Sequence, residues 1–280
     1  LPRSISAMTI LNSLQLQHNR FTGDLDGVFN ATTQTKLNVV QLSSNQLEGT
    51  IPRDVFALPL LATFAVVSNC LQGPLPADAI CASASLTTLL LDGLHTASSC
   101  QQAVLFGWIP GVYSLGSGAA GFTDQLHSCL FAMPNLTTLH MSGNGLTGRL
   151  PKSSSSSNFS DLSLSHNAIS GTIAQSLQQQ PWATLDLSYN RLSGGLGRGF
   201  SSSFANVSSG SSLHLEVNRL SGEVPHSLYD ARDITMLDGN LFSCDARRSS
   251  LPKHDSERSD YSCGSNAFNT SIYTWLAFAG

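Results

Sequence analysis

An asparagine returns about every two dozen residues along this chain, each time at the same distance behind a spaced set of leucines. Leu11, Leu14, Leu16, Asn19, Phe21, Gly23 and Leu25 set the frame. It comes back as Leu37, Val40, Leu42, Asn45, Leu47, Gly49, Ile51 and Pro52, then as Leu61, Phe64, Val66, Asn69, Leu71, Gly73, Leu75 and Pro76. Leu86, Leu89 and Leu91 form a further copy with Leu94 in the asparagine slot. Leu136, Leu139, Met141, Asn144, Leu146, Gly148, Leu150 and Pro151 follow, and later copies place the asparagine at Asn167, Asn190, Asn218 and Asn240. Neighbouring asparagines are mostly 22 to 28 residues apart, and eight such copies leave no room for a chance match. A fixed period in this range is the signature of a stacked array. One turn cannot bury its apolar face alone, whereas stacked turns share a continuous core.

The pattern has a direct physical reading. The leucines alternate along a short strand, so one set of side chains enters a common core. The asparagine follows the strand, where its amide can satisfy backbone groups that a buried bend would leave unpaired. The glycine and the Ile-Pro or Leu-Pro pair shape the return path. From Leu94 to Asn144 is 50 residues, two periods, which predicts one degenerate turn inside roughly 100–130.

The motif resembles the plant-type leucine-rich repeat, a leucine-rich strand followed by Asn-x-Leu-x-Gly-x-Ile-Pro. Receptor-like kinases, receptor-like proteins and polygalacturonase inhibitors carry that version, as do surface proteins of several protists. The resemblance covers nearly the whole chain apart from about 95–130 and the tail after Asn240. It implies an α/β solenoid: a curved right-handed superhelix with one parallel β-sheet on its concave face and an irregular or 3-10 convex side. It specifies architecture far more than ligand, because function lives in sites grafted onto folds.

The domain reading is a solenoid over 1–243, about ten turns with an irregular one near 95–130, closed by a cap and a juxtamembrane-like tail over 244–280. Leu1-Pro2-Arg3 matches Ile51-Pro52-Arg53, so the chain reads as opening in mid-repeat, a fragment of a longer ectodomain. Terminal turns need a lid over their core leucines, and a disulfide-tied polar segment makes one. Cys244 stands in the glycine slot of the last turn and Cys263 follows a polar run, so these two are expected to pair. The stretch Tyr261–Phe268 resembles the carboxy-terminal flank of protist, kinetoplastid-like leucine-rich-repeat surface proteins. The apolar residues Ile272–Gly280 are too few to span a bilayer. They read either as the start of a membrane helix or as a strip packed on the cap.

Cys70, Cys81, Cys100 and Cys129 allow three connectivities, which sequence alone leaves open. A Cys100–Cys129 bond stapling the irregular region is the preferred one. An even cysteine count fits an oxidising compartment, and sequons at Asn30, Asn135, Asn158, Asn206 and Asn269 support secretion and glycosylation.

Charge then narrows the partners. Lys plus Arg is 14 against 18 for Asp plus Glu, a net charge of −4, and only 11% of residues are charged. A mildly acidic chain without a basic cluster offers nothing to a phosphate backbone, which excludes nucleic acid. No cofactor is implied. Ser165-His166 with Asp161 and Asp186 is the nearest approach to a hydrolase constellation, yet it occupies generic polar positions and lacks the strained Gly-x-Ser-x-Gly elbow. Gly194–Gly199 is glycine-rich but lies in the repeat frame, with no phosphate-binding lysine after it. A metal site from His140, His214, Asp186 and Glu216 is rejected, because strands about 4.8 Å apart hold these residues on separate turns.

The outward strand positions remain. In the first half they are neutral and small, as in Ser13, Gln15, Gln41, Thr63 and Ala65. The second half collects His140, Asp161, Asp186, Tyr189, His214 and Glu216, the candidate ligand-binding residues. The expected function is non-catalytic recognition of a protein, peptide or glycan by a cell-surface module, membrane-anchored through a segment outside 1–280. An adhesive or protective coat glycoprotein and an inhibitor of a secreted hydrolase are the alternatives. The resemblance also leaves room for a cytoplasmic kinase elsewhere in a parent protein.

Overall fold

A computed structural model describes residues 1–94, 125–152, 158–205 and 210–264. It divides into two compact units, Leu1–Thr147 with Ser154–Phe159, and Gly148–Ser153 with Ser160–Gly280. In the first unit, strands β1 (Ser13–Gln15), β3 (Val39–Gln41), β5 (Thr63–Ala65), β7 (Thr88–Leu90) and β8 (Thr138–His140) pair in that order, all parallel. A second parallel ladder joins β2 (Thr22–Gly23), β4 (Gln46–Gly49) and β6 (Cys70–Leu71). The second unit repeats the plan. Strands β9 (Asp161–Ser163), β11 (Thr184–Asp186), β13 (Ser212–His214) and β15 (Asp233–Thr235) form one ladder. The companion ladder is β10 (Ser170–Gly171), β12 (Arg191–Gly194), β14 (Arg219–Glu223) and β16 (Leu241–Ser243).

Return paths include 3-10 segments, as at Arg53–Ala57 and Ser128–Ala132, and short helices, α1 (Ala77–Ala82) and α2 (Gln175–Gln178). Three-residue strands put their central side chain inward, and that residue is buried in every case: Leu14, Val40, Phe64, Leu89 and Leu139 in one unit, Leu162, Leu185, Leu213 and Ile234 in the other. The return segments close the core from behind. Phe56 meets Phe64 edge-on at 5.2 Å, and Trp182 is buried with its indole N–H donated to the Leu177 carbonyl.

Two sequence expectations need correction here. The degenerate turn expected inside roughly 100–130 lies largely outside the described residues and is not one of them. β7 pairs directly with β8, with Thr138 N–H donated to Thr87 O at 3.1 Å and Leu91 N–H to His140 O at 2.8 Å. β7 and β8 are therefore neighbours in this ladder. The same pairing stacks the Ser128–Ala132 segment beside α1 and brings Cys129 to Cys81, with which it forms a disulfide across a Cα–Cα distance of 6.0 Å. The preferred Cys100–Cys129 bond is thereby overturned; Cys100 itself lies outside the described residues. Ala65, read as outward, is buried.

The asparagines work as a ladder within each unit. Asn69 is fully buried; its amide donates to Val66 O in its own turn and Leu42 O in the turn before, while its Oδ1 accepts from Leu47 N at 3.0 Å. Asn218 repeats this with Leu215 O, Leu187 O and Leu192 N. Asn144 does so across 50 residues of sequence, accepting from Leu94 N and donating to Leu91 O. Each such amide satisfies at least two backbone groups, and those of Asn69 and Asn218 at least three, that would otherwise be buried unpaired, at about 1–3 kcal/mol each.

At the carboxy end the ladder is completed by other chemistry. Phe242 N–H, two residues after Asn240, has no further asparagine to meet. It donates instead to the Tyr261 hydroxyl at 2.6 Å, and that hydroxyl donates to Asn240 O. The buried Asp255 carboxylate accepts from Met236 N and Leu237 N, standing where a next strand would offer carbonyls. Cys244 is joined to Cys263, and Gly264 N–H donates to Phe242 O. Gly264 packs so closely that a Cβ there would overlap the Leu241 carbonyl. The cap thus imitates one more turn with two side chains.

Candidate ligand-binding face

Strand register fixes the outward rows of the second unit. Asp161, Thr184, Ser212 and Asp233 make one row, and Ser163, Asp186, His214 and Thr235 make the next. None of these eight positions is Lys or Arg. Neighbours along a row stand about 4.8 Å apart, so their polar groups can bond one another, and they do. Asp186 Oδ1 accepts from the Ser188 N–H and hydroxyl, at 3.1 and 2.7 Å, and its Oδ2 accepts from Ser163 at 3.2 Å. Thr235 donates its single hydroxyl hydrogen to Glu216 Oε2 at 2.5 Å. Its contact with His214 Nδ1, at 2.8 Å, must then have the histidine as donor. Proton bookkeeping therefore places the hydrogen of neutral His214 on Nδ1, leaving Nε2 as an acceptor.

Beside these rows runs a third feature, set by the backbone. The residue before each asparagine takes the left-handed conformation. In the second unit these are His166, Tyr189 and Val217, with φ of 53, 52 and 53°. Side chains so placed lie in register from turn to turn, and the His166 and Tyr189 rings stack at 4.2 Å with planes 12° apart. Tyr189 stays 43% exposed. Glycine takes the same slot at Gly239, where a Cβ would come 2.7 Å from the Val217 Cα.

The expected residues are divided between the units. Asp161, Asp186, Tyr189, His214 and Glu216 belong to the second, where Asp186 is bonded to Ser163 and Ser188, and His214 is linked to Glu216 through Thr235. His140 belongs to the first, its Nδ1 3.7 Å from Asp92 Oδ2, while Asp92 Oδ1 accepts from Ser142 N. The Ser165-His166 pair forms no nucleophile–base arrangement: Ser165 is buried, His166 stacks on Tyr189, and Asp186 takes its bonds from serines. Among the described residues no group of three His, Cys, Asp or Glu side chains is placed to hold a metal ion, and no helix is long and apolar enough to cross a membrane.

Sequence reasoning missed Thr235, Asp255 and Tyr261. Thr235 was available from the frame, since Asp233-Ile234-Thr235 aligns with Ser212-Leu213-His214. The left-handed slot also had a signal, the glycines at Gly143 and Gly239 just before Asn144 and Asn240. Asp255 and Tyr261 had none, because the cap leaves the repeat pattern.

Comparison with known proteins gives the same architecture. A family model described as Leucine Rich Repeat matches residues 135–157. A search of curated protein sequences gave no significant match. Among solved structures, the chain resembles the PEPR1–AtPEP1 complex at 23% identity and a TM-score of 0.67, over 89% of this chain and 31% of that one. The Arabidopsis receptor kinase HAESA, solved with the peptide hormone IDA and the co-receptor SERK1, aligns at 21% identity and a TM-score of 0.64, over 91% and 38%. A TDR receptor aligns at 23% and 0.62, over 91% and 42%. The fold is thus a leucine-rich-repeat solenoid, and the chain spans less than half the length of each of these structures.

Proposed function

We propose that this chain is an extracellular recognition module of a membrane-anchored, receptor-like surface protein, and that it binds a peptide or protein ligand without catalysis on the strand face of its second unit. The observation that carries this reading is the state of the carboxylates there. Asp186, on a row without a cation, is held in a fixed orientation by Ser163 and Ser188, and Glu216 by Thr235. Fixed groups lose little conformational entropy on binding. Their sign selects a ligand with Lys, Arg or a free amino group, and Tyr189 supplies an aromatic anchor beside them. The likeness to HAESA, solved with the peptide hormone IDA, supports the peptide class.

The test is selection of a displayed library of random 12-residue peptides on the folded protein. The reading expects enriched peptides rich in basic residues, and expects them to lose affinity at least tenfold for a D186N/E216Q variant. Equal retention by that variant overturns it.

A further inference from the structure

We propose that the second unit carries a separate saccharide-binding groove beside the cap, distinct from the strand face. The groove holds about 1,010 Å³ and is open to solvent along its length. Three consecutive turns build it. The first contributes Leu196 and Arg198, the second Glu223, His226 and Tyr229, and the cap contributes Asp245 with the Cys244 end of the disulfide.

The glycine-rich run that the repeat frame left without a role explains the shape. Gly195, Gly197 and Gly199 strip side chains from one wall, leaving only Leu196, turned into the core, and Arg198, turned out. Gly197 N–H is tied to the Gln178 side chain at 2.6 Å, which holds that wall in place. Opposite it, the His226 and Tyr229 rings lie 4.5 Å apart over buried Val224.

The chemistry differs from that of the strand face. There the carboxylates and the histidine are held by neighbouring hydroxyls: Asp186 by Ser163 and Ser188, and His214 and Glu216 by Thr235. In the groove Asp245 is committed to Ser249 and Ser250, whose bonds hold its carboxyl below the usual range. Among the described residues, the side chains of Arg198, Glu223 and His226 and the Tyr229 hydroxyl carry no hydrogen bond or ion pair. Burial, with Glu223 and Asp245 nearby, pushes the Tyr229 hydroxyl up, so it stays a neutral donor and acceptor. The groove therefore presents a cationic donor, a carboxylate acceptor, a hydroxyl and an aromatic surface at once. Charges of both signs disfavour a strongly charged ligand. Alternating donors and acceptors beside an aromatic ring suit a neutral sugar, whose hydroxyls both give and accept hydrogen bonds while its C–H face packs on the ring.

Saturation-transfer NMR on the intact chain, with cellotetraose and chitotetraose as probes, tests this. The proposal expects saturable transfer from the protein to at least one of them, weakened at least fivefold in affinity by E223Q and by Y229A. It expects that transfer to be unchanged by D186N/E216Q, which separates it from the strand-face reading. Circular dichroism of Y229A guards against a folding defect, and E223Q alone suffices if that variant is unstable. Absence of transfer at millimolar sugar overturns the proposal, as does transfer indifferent to both groove variants. Binding of tetralysine at Glu223 in place of either sugar also overturns it, in favour of a cation site.

Discussion

The two units share one scaffold and wear different faces. Behind the strands, Val40 and Phe64 in the first unit do what Leu185 and Leu213 do in the second, and Asn69 makes the same three bonds as Asn218. In front, the first unit shows mainly neutral groups satisfying one another, Gln15 bonded to Ser13 and Ser43 to Gln41, with one acid, Asp92, beside His140 at β8. The second shows Asp161, Asp186, Glu216 and Asp233, with a stacked histidine and tyrosine alongside. The difference teaches that the solenoid fixes only the inward half of each strand. Outward positions are free to vary without touching the core, so a cluster of like charge there reflects something other than folding.

If that separation holds, the largest effects must come from the ladder and be equal in both units. Asn69→Ala and Asn218→Ala each orphan three buried backbone groups, and each is expected to destabilise by about 3 kcal/mol or more. Urea denaturation measures both; a loss confined to one unit breaks the comparison. Gly239→Ala is next. Its φ of +67° and the approach to Val217 predict a cost of about 2 kcal/mol in thermal unfolding.

The cap should behave as a weaker ladder. Tyr261→Phe removes the bonds to Phe242 N and Asn240 O and is expected to cost about 1–2 kcal/mol. Burial pushes the Tyr261 hydroxyl above its ordinary value of 10.0, with Asp255 adding to the shift against the lowering effect of the Phe242 bond. A group raised on folding stabilises fully below its unfolded pKa and loses that contribution as pH rises through the folded one. Stability should therefore decline above about pH 10, and denaturation between pH 8 and 11 should show a smaller decline in Tyr261→Phe.

The smallest stability effects belong to the strand face. Asp186→Asn keeps an acceptor for Ser188 and should change stability by no more than about 0.5 kcal/mol, while reducing affinity for a basic peptide about tenfold, or 1.4 kcal/mol. Gln15→Ala in the first unit should change neither.

This ordering matches what could be read from sequence. The repeat was legible because leucines and asparagines recur in phase, and the outward rows followed from alternation. The direct β7–β8 pairing was not, because a gap of two periods does not say which strands are neighbours across it. The Cys81–Cys129 bond depends on that pairing and was hidden with it. Asp255 and Tyr261 were invisible for another reason: they supply the hydrogen bonds of an asparagine and a strand without sharing their place in any repeat. On the face itself, the residues were readable but their bonding was not, since the link from His214 through Thr235 to Glu216 depends on register between turns 19 and 21 residues apart.

The central claim is that the second unit's strand face, and not the first's, carries recognition. Calorimetric titration of one library-selected basic peptide into the native protein, D186N/E216Q and a first-unit Q15A/Q41A variant tests it most directly. The account predicts at least tenfold weaker binding for D186N/E216Q and native affinity for Q15A/Q41A. Native affinity in D186N/E216Q, with a loss in Q15A/Q41A, would contradict it.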